Sequence, residues 1–418
     1  MSAVITVFGA TLAFVLALEA ALALYYRLSG LSDRARELYL TNEPNAYVRE
    51  LRALTPGGAR YADALFPHPY LGWVYHGNPP SGVATVNNVG LLGRDFPYEK
   101  DDTAFTILLT GGSVANQLGQ IGFGPRFLEE ELNARYTTGD GRPFVVLNGG
   151  NGAWKQPQQT ILFSMFSDVV DGVVTLDGCN EHYGLAQWVG LELPAANFHL
   201  MNPLSTQSHR QLVGIWLSGL IDARVRSSRV LSRSYVANAF AYALRVALYR
   251  LLVASRDRVP RRTSVDRMFS LPGKWSREEA FRHNIGSYYK YITAMDAVAA
   301  DAGVRSAHFI QPAPAIDKVL TEKELEVVGD LGYKPLFQAM ERELLQLRRI
   351  GVPIFSLTDI FRDVRETMYS DSSHLAFYAA GDSPGYRMMA KRIAAHLAEA
   401  WGLDRRAESP PAAEDTAA

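Results

Sequence analysis

Phe105 to Ser113 reads FTILLTGGS, a short apolar run that ends in two glycines and a serine. An apolar run of this length bounded by turn residues is what a buried strand requires. The Gly-Gly pair lets the backbone bend sharply into a following helix, with Ser113 at its start. Working outward, the same pattern recurs. Further strands are expected at Phe144 to Leu147, Val173 to Leu176, Ser306 to Ile310 and Pro353 to Leu357. Helical stretches are expected at Pro125 to Tyr136, Gln156 to Val169, Arg277 to Ala302, Lys334 to Ile350 and Ser383 to Trp401. Five β-α units predict one α/β domain around a doubly wound parallel sheet, with its ligand site at the carboxyl ends of the strands.

The chain has 418 residues, of which 48% are hydrophobic and 20% charged, which excludes wholesale disorder and a polytopic membrane protein. Forty-two Lys and Arg against 43 Asp and Glu give no whole-chain argument for a nucleic-acid partner. With Cys179 as the only cysteine, an intrachain disulfide, a Cys-cluster zinc site and an iron–sulfur centre are excluded.

Val4 to Tyr26 is an apolar segment with Glu19 as its only charge. As a helix it would span roughly 34 Å, enough to cross a bilayer. It lacks a basic leader and a small-residue cleavage site, so residues 1–30 read as a retained transmembrane anchor rather than a signal peptide. Arg27, Arg34 and Arg36 behind it place the large domain in the cytoplasm by the positive-inside rule. Residues 31–65 then read as a helical connector, 66–403 as the catalytic domain and 404–418 as a disordered tail.

An insertion of about 192–274 follows the third strand and is far longer than an ordinary connection. From Arg210 to Arg267 it carries 12 Arg, no Lys and three acids. Val236, Phe240, Leu244, Leu248 and Leu251 recur at helical spacing, with Arg245, Arg250 and Arg256 outside the stripe. Such a helix suits an anionic lipid surface, or it packs on the domain with its arginines in water.

Four segments carry the candidate chemistry. Thr110-Gly111-Gly112-Ser113 offers a hydroxyl at a strand-to-helix turn, although the same turn also serves as a helix cap or a phosphate cradle. Asn148 to Trp154, reading NGGNGAW, leaves backbone N–H groups free to hold an oxyanion. Asp177-Gly178-Cys179-Asn180-Glu181 places an amide at the end of the third strand. Tyr369 to Leu375, reading YSDSSHL, sets Asp371 three residues before His374, so that the carboxylate can orient the imidazole.

Together these segments resemble the SGNH (GDSL-type) hydrolase superfamily, whose blocks run in the order Ser, Gly, Asn, D-x-x-H. HPYLGWVY at His68 to Tyr75, NNVGLLGRDF at Asn87 to Phe96 and KQPQQ at Lys155 to Gln159 are similar to bacterial, membrane-anchored members associated with surface-polysaccharide gene sets. The resemblance covers roughly Phe66 to Trp401 outside the insertion. It implies a flavodoxin-like three-layer α/β/α domain and an esterase that needs no cofactor or metal. Ser113 would be the nucleophile, His374 the general base and then acid, and Asp371 the group that orients it. Asn180 and a second-block N–H would complete an oxyanion hole. That donor is assigned to Gly152, although the family spacing falls on the next residue, Ala153. The usual GDS reads GGS here.

The substrate implied is an acyl, foremost acetyl, ester on a glycan or lipid-linked glycan, with the membrane as a second partner and no nucleic acid. This likeness favours an extracytoplasmic site, against the flank charge. Two alternatives keep the fold: an O-acyltransferase acting on cell-envelope glycan, and a non-catalytic glycan- or lipid-binding protein. A nucleotide-binding domain with Gly111 to Ser113 as phosphate cradle leaves Asn180 and the Asp371/His374 pair unexplained and lacks a following Walker lysine. Trp154, Tyr183 and Trp188 are candidates for stacking on a sugar ring.

Overall fold

The computed structural model describes residues 2–28, 65–75, 86–119, 125–182, 228–248, 270–378 and 381–406, with scattered positions between 213 and 225. In chain order, helix α1 is Ser2–Leu28, strands β1 and β2 are Leu65–His68 and Gly72–Tyr75, β3 is Phe105–Gly111, and α2 and α3 are Ser113–Gly119 and Phe127–Arg135. Then come β4 Tyr136–Thr137, β5 Phe144–Gly150, α4 Gln158–Phe166, β6 Gly172–Asp177, α5 Tyr235–Leu248, α6 Arg277–Asp301 and β7 Arg305–Ile310. The chain continues through α7 Glu322–Val327, α8 Lys334–Leu344, β8 Ile354–Ser356, α9 Pro384–Trp401 and β9 Asp404–Arg405.

The central sheet has five strands in the order β5-β3-β6-β7-β8, each pair parallel. Every residue of β3 and β6 is buried, as expected of strands covered on both faces. One face packs Leu118 of α2, Leu128 of α3 and Ile393 of α9 against Ile107 and Leu109. The other packs Leu162 of α4 and Met295 of α6 against Leu108 and Val173. Farther along that face, Phe337 and Met340 of α8 meet Ile285 and Ile292 of α6. The five strands and five long helices expected are present, their ends moved by a few residues.

Chain order reverses at β3, which lies between β5 and β6. The carboxyl end of β3 is therefore the switch point where an open α/β sheet leaves a crevice. Ser113 lies just beyond it.

The sequence reading did not anticipate the β1–β2 hairpin, an antiparallel pair of four residues each. The expected tail also begins inside the fold. Thr137 pairs with Asp404 and Tyr136 with Arg405, so β4 and β9 form a small antiparallel ladder that ties down the end of α9. The rest of that tail, the connector up to residue 64 and most of the insertion lie outside the described residues.

The insertion's described helix, α5, packs against α1. Glu19 accepts from the Ser234 hydroxyl and from the N–H groups of Tyr235 and Val236, capping the first turn of α5. The apolar stripe expected on α5 is not buried as a unit: Phe240 and Leu244 stay exposed while Ala241 is buried. Among the described residues, no helix is long and apolar enough to cross a membrane, so the transmembrane anchor is not established. Helix α1 nevertheless runs 27 residues, and its described side chains are mostly exposed, Phe14 and Leu16 among them.

Candidate active site

The site is assembled from the carboxyl ends of β3, β5 and β6 and from the turn before α9. The β3–α2 turn comes first. A Cβ on Gly111 would strike the Leu176 carbonyl oxygen and the Ala115 side chain, and one on Gly112 would strike the Asn180 amide. Glycine at 111 lets the ends of β3 and β6 converge this closely, while at 112 it leaves room for the Asn180 side chain. Sequence alone gave no reason for GGS in place of GDS. The structure supplies one: the Asn180 amide occupies the space a side chain at 112 would need.

Ser113 opens α2, so its N–H is among those left without an intrahelical acceptor. Its Oγ lies 2.6 Å from His374 Nε2. On the other side of the ring, His374 Nδ1 lies 2.7 Å from Asp371 Oδ2. The second carboxylate oxygen of Asp371 accepts from the N–H groups of Ser373 at 2.8 Å and His374 at 2.7 Å. Burial opposes charge on Asp371, but the His374 side chain and these two N–H groups outweigh it and hold its carboxyl below the usual carboxylate range. Nδ1 then carries a proton toward Asp371, leaving Nε2 to accept one from Ser113. Asp371 and His374 remain about one-quarter exposed, at 25% and 24%, so the pair faces an open crevice.

The turn that carries this pair is fixed from below. Glu324 Oε1 accepts from the N–H groups of Met368 and Tyr369, at 2.8 and 3.0 Å. Its other oxygen accepts from the Thr321 N–H and meets Lys318 Nζ at 3.0 Å, with both side chains fully buried. Glu324 and Lys318 were not found by sequence reasoning. A Thr-x-x-Glu capping box was visible at Thr321 to Glu324, but it gives no sign of the second use of that carboxylate.

Asn180 Nδ2 donates to the Trp154 carbonyl at 2.8 Å and packs on Gly112, leaving its other amide hydrogen for the crevice. The second-block donor differs from expectation. Gly152 N–H donates to Asn151 Oδ1 at 2.7 Å, and its carbonyl accepts from the Trp73 indole at 3.1 Å. That N–H is therefore occupied. The next residue, Ala153, sits at φ 60 in the left-handed region, and its N–H donates to none of the described residues. The same hairpin residue, Trp73, accepts through its carbonyl from Asn151 Nδ2 at 3.3 Å and the Trp154 indole at 3.2 Å. The HPYLGWVY motif thus braces the second block.

Trp154 is fully buried, which removes it as a sugar-stacking surface. Tyr183 and Trp188 lie outside the described residues. Cys179 is buried beside Ser373, and burial pushes its thiol up to about 12, so it remains a neutral packing group. Among the described residues, no cluster of His, Cys, Asp and Glu is suited to hold a metal ion. No protein-family model matches the chain, and no curated protein matches it.

The arrangement can abstract a proton from a serine hydroxyl at one point and stabilise developing negative charge at another. Those are the two requirements of acyl transfer through a serine ester.

Proposed function

We propose that the chain is a serine ester hydrolase of the SGNH type. The observation that carries the reading is the continuous line from Asp371 through His374 to Ser113, joined at 2.7 and 2.6 Å, with the Asn180 amide packed beside the nucleophile's turn. Ser113 Oγ attacks the ester carbonyl while His374 Nε2 takes its proton, and Asp371 stabilises the imidazolium. The tetrahedral oxyanion is held by the Ser113 N–H, the Asn180 side chain and the Ala153 N–H. Collapse breaks the ester C–O bond, and His374 returns the proton to the departing alcohol. Water, deprotonated by the same imidazole, then frees the acid.

The sequence resemblance points to an acyl group on a glycan or lipid-linked glycan. The same resemblance points to a membrane-anchored enzyme. Turnover of an activated acetyl ester by wild type and Ser113→Ala tests the reaction class. Loss of all turnover above background in Ser113→Ala is expected, and equal rates would refute it. Supplying a glycan acceptor and analysing products separates hydrolysis from transfer to a sugar hydroxyl.

A further inference from the structure

Around Asn180 in sequence, and next to Trp154 whose carbonyl it bonds, stand buried ionisable side chains that the reaction does not use. Asp177 and Glu181 flank Asn180 in sequence, and both are buried, at 3% and 1% exposure, as is Lys155 at 1%. We propose that Asp177 and Glu181 hold one proton between them beside Lys155, and that this cluster is a positioning device for the oxyanion donor Asn180. The readout by turnover rests on the hydrolase reading; the shared proton does not.

Charge balance gives the first argument. Two carboxylates and one ammonium leave a net negative charge in a site closed to water, and such a charge is costly unless neutralised. One added proton makes the cluster neutral. Hydrogen bonding gives the second. Glu181 Oε2 accepts from the Gly178 N–H at 2.8 Å, closing the turn that contains Asn180. Asp177 Oδ1 accepts from the Gln159 amide. The remaining oxygens, Asp177 Oδ2 and Glu181 Oε1, are buried with no well-aligned donor among the described residues. A proton on one carboxyl group supplies such a donor.

Among the described residues, the surroundings offer no other neutralising charge. Tyr288 of α6, Gln156 and Gln159 beside α4, and Thr175 of β6 present neutral groups to Asp177. Behind Thr175, His308 of β7 is held neutral by burial, and His182, packed on Tyr333 and Phe337, is likewise depressed, to about 4. Cys179 is neutral. Burial raises both carboxyl groups, Glu181 further through the Asp177 charge, and lowers Lys155 to about 8 against the pull of Glu181. The KQPQQ motif, whose Lys155, Gln156 and Gln159 are all buried, thereby gains a purpose.

The test pairs infrared pH titration of the intact protein with steady-state kinetics on an activated acetyl ester. In wild type, a protonated-carboxyl C=O band should persist at neutral pH, disappear on the alkaline side and be absent from Glu181→Gln. Glu181→Ala should lower kcat at least tenfold with KM unchanged. Glu181→Gln, a neutral isostere of the protonated acid, should restore most of kcat at neutral pH and remove the alkaline decline expected of wild type. Absence of the band from wild type at neutral pH, or an unaltered alkaline decline in Glu181→Gln, would overturn the proposal. A wild-type band together with wild-type inactivity at every pH would instead refute the hydrolase reading and leave the shared proton standing.

Discussion

His374 Nε2 and Ser113 Oγ are 2.6 Å apart although 261 positions separate them in the chain. The contact is made by opposite ends of the domain, the turn before the last long helix and the first strand of the central sheet. It depends on two supports: Asp371 orienting the ring, and Glu324 holding the turn.

Asp371→Asn keeps an acceptor for the Ser373 and His374 N–H groups but loses the charge that fixes the imidazole tautomer. By analogy with other Ser-His-Asp sites, kcat should fall about 1,000- to 10,000-fold. Circular dichroism should show unchanged secondary structure, and kinetics on an activated ester checks the rate.

Removing the Asn180 amide deletes one oxyanion donor. Asn180→Ala should lose about 100- to 1,000-fold in kcat. A rate equal to wild type would take Asn180 out of the site.

Gly112→Ala makes a sharper prediction. The added methyl meets the end of a movable side chain, so the protein should fold, but that side chain is the Asn180 amide. Turnover should drop toward that of Asn180→Ala with little change in thermal midpoint. For the same reason Gly112→Asp, which writes the GDS of the hydrolases the sequence resembles, should lower activity rather than raise it. Parallel melting curves and kinetics decide the point.

Glu324→Ala leaves the Lys318 ammonium without its counter-charge, with only the carbonyls of Val319, Val364 and Glu366 as acceptors, and releases the Met368 and Tyr369 N–H groups. Breaking a buried pair in this way costs about 3–5 kcal/mol. Burial opposes ionisation of Glu324, but its bonds to backbone N–H groups and Lys318 bring its carboxyl below the usual range. A depressed folded-state pKa contributes stability that is present above the unfolded carboxyl value, about 4.3, and is lost as pH falls through the folded one. Denaturant titrations should show wild type weakening on acidification below that range and Glu324→Ala lacking this part of the dependence.

Much of the fold was legible because β3, β5 and β6 are predominantly apolar runs, a signal set by burial on both faces. Ser113, Asn180, Asp371 and His374 were singled out in the sequence because their segments, each at a turn, follow one another in the order of the SGNH blocks they resemble; the convergence of Ser113 and His374 in space is what the structure adds. The β1–β2 hairpin was not: its role is hydrogen bonding of the Trp73 backbone and indole to a loop some 80 positions away, which leaves no local periodicity. Gly152 was preferred over Ala153 on residue type, yet donor availability depends on where Asn151 turns its side chain. The packing of α5 on α1 through Glu19 was equally invisible, since a lone acid in an apolar helix does not name its partner.

The most direct test is reaction of the folded protein with a fluorophosphonate, followed by mass spectrometry of the adduct in wild type, Ser113→Ala and His374→Ala. Single labelling at Ser113 in wild type, abolished in Ser113→Ala and strongly slowed in His374→Ala, is the predicted result. A folded wild-type protein that stays unlabelled, or that carries the adduct elsewhere, would contradict the assignment of Ser113 as a nucleophile activated by His374.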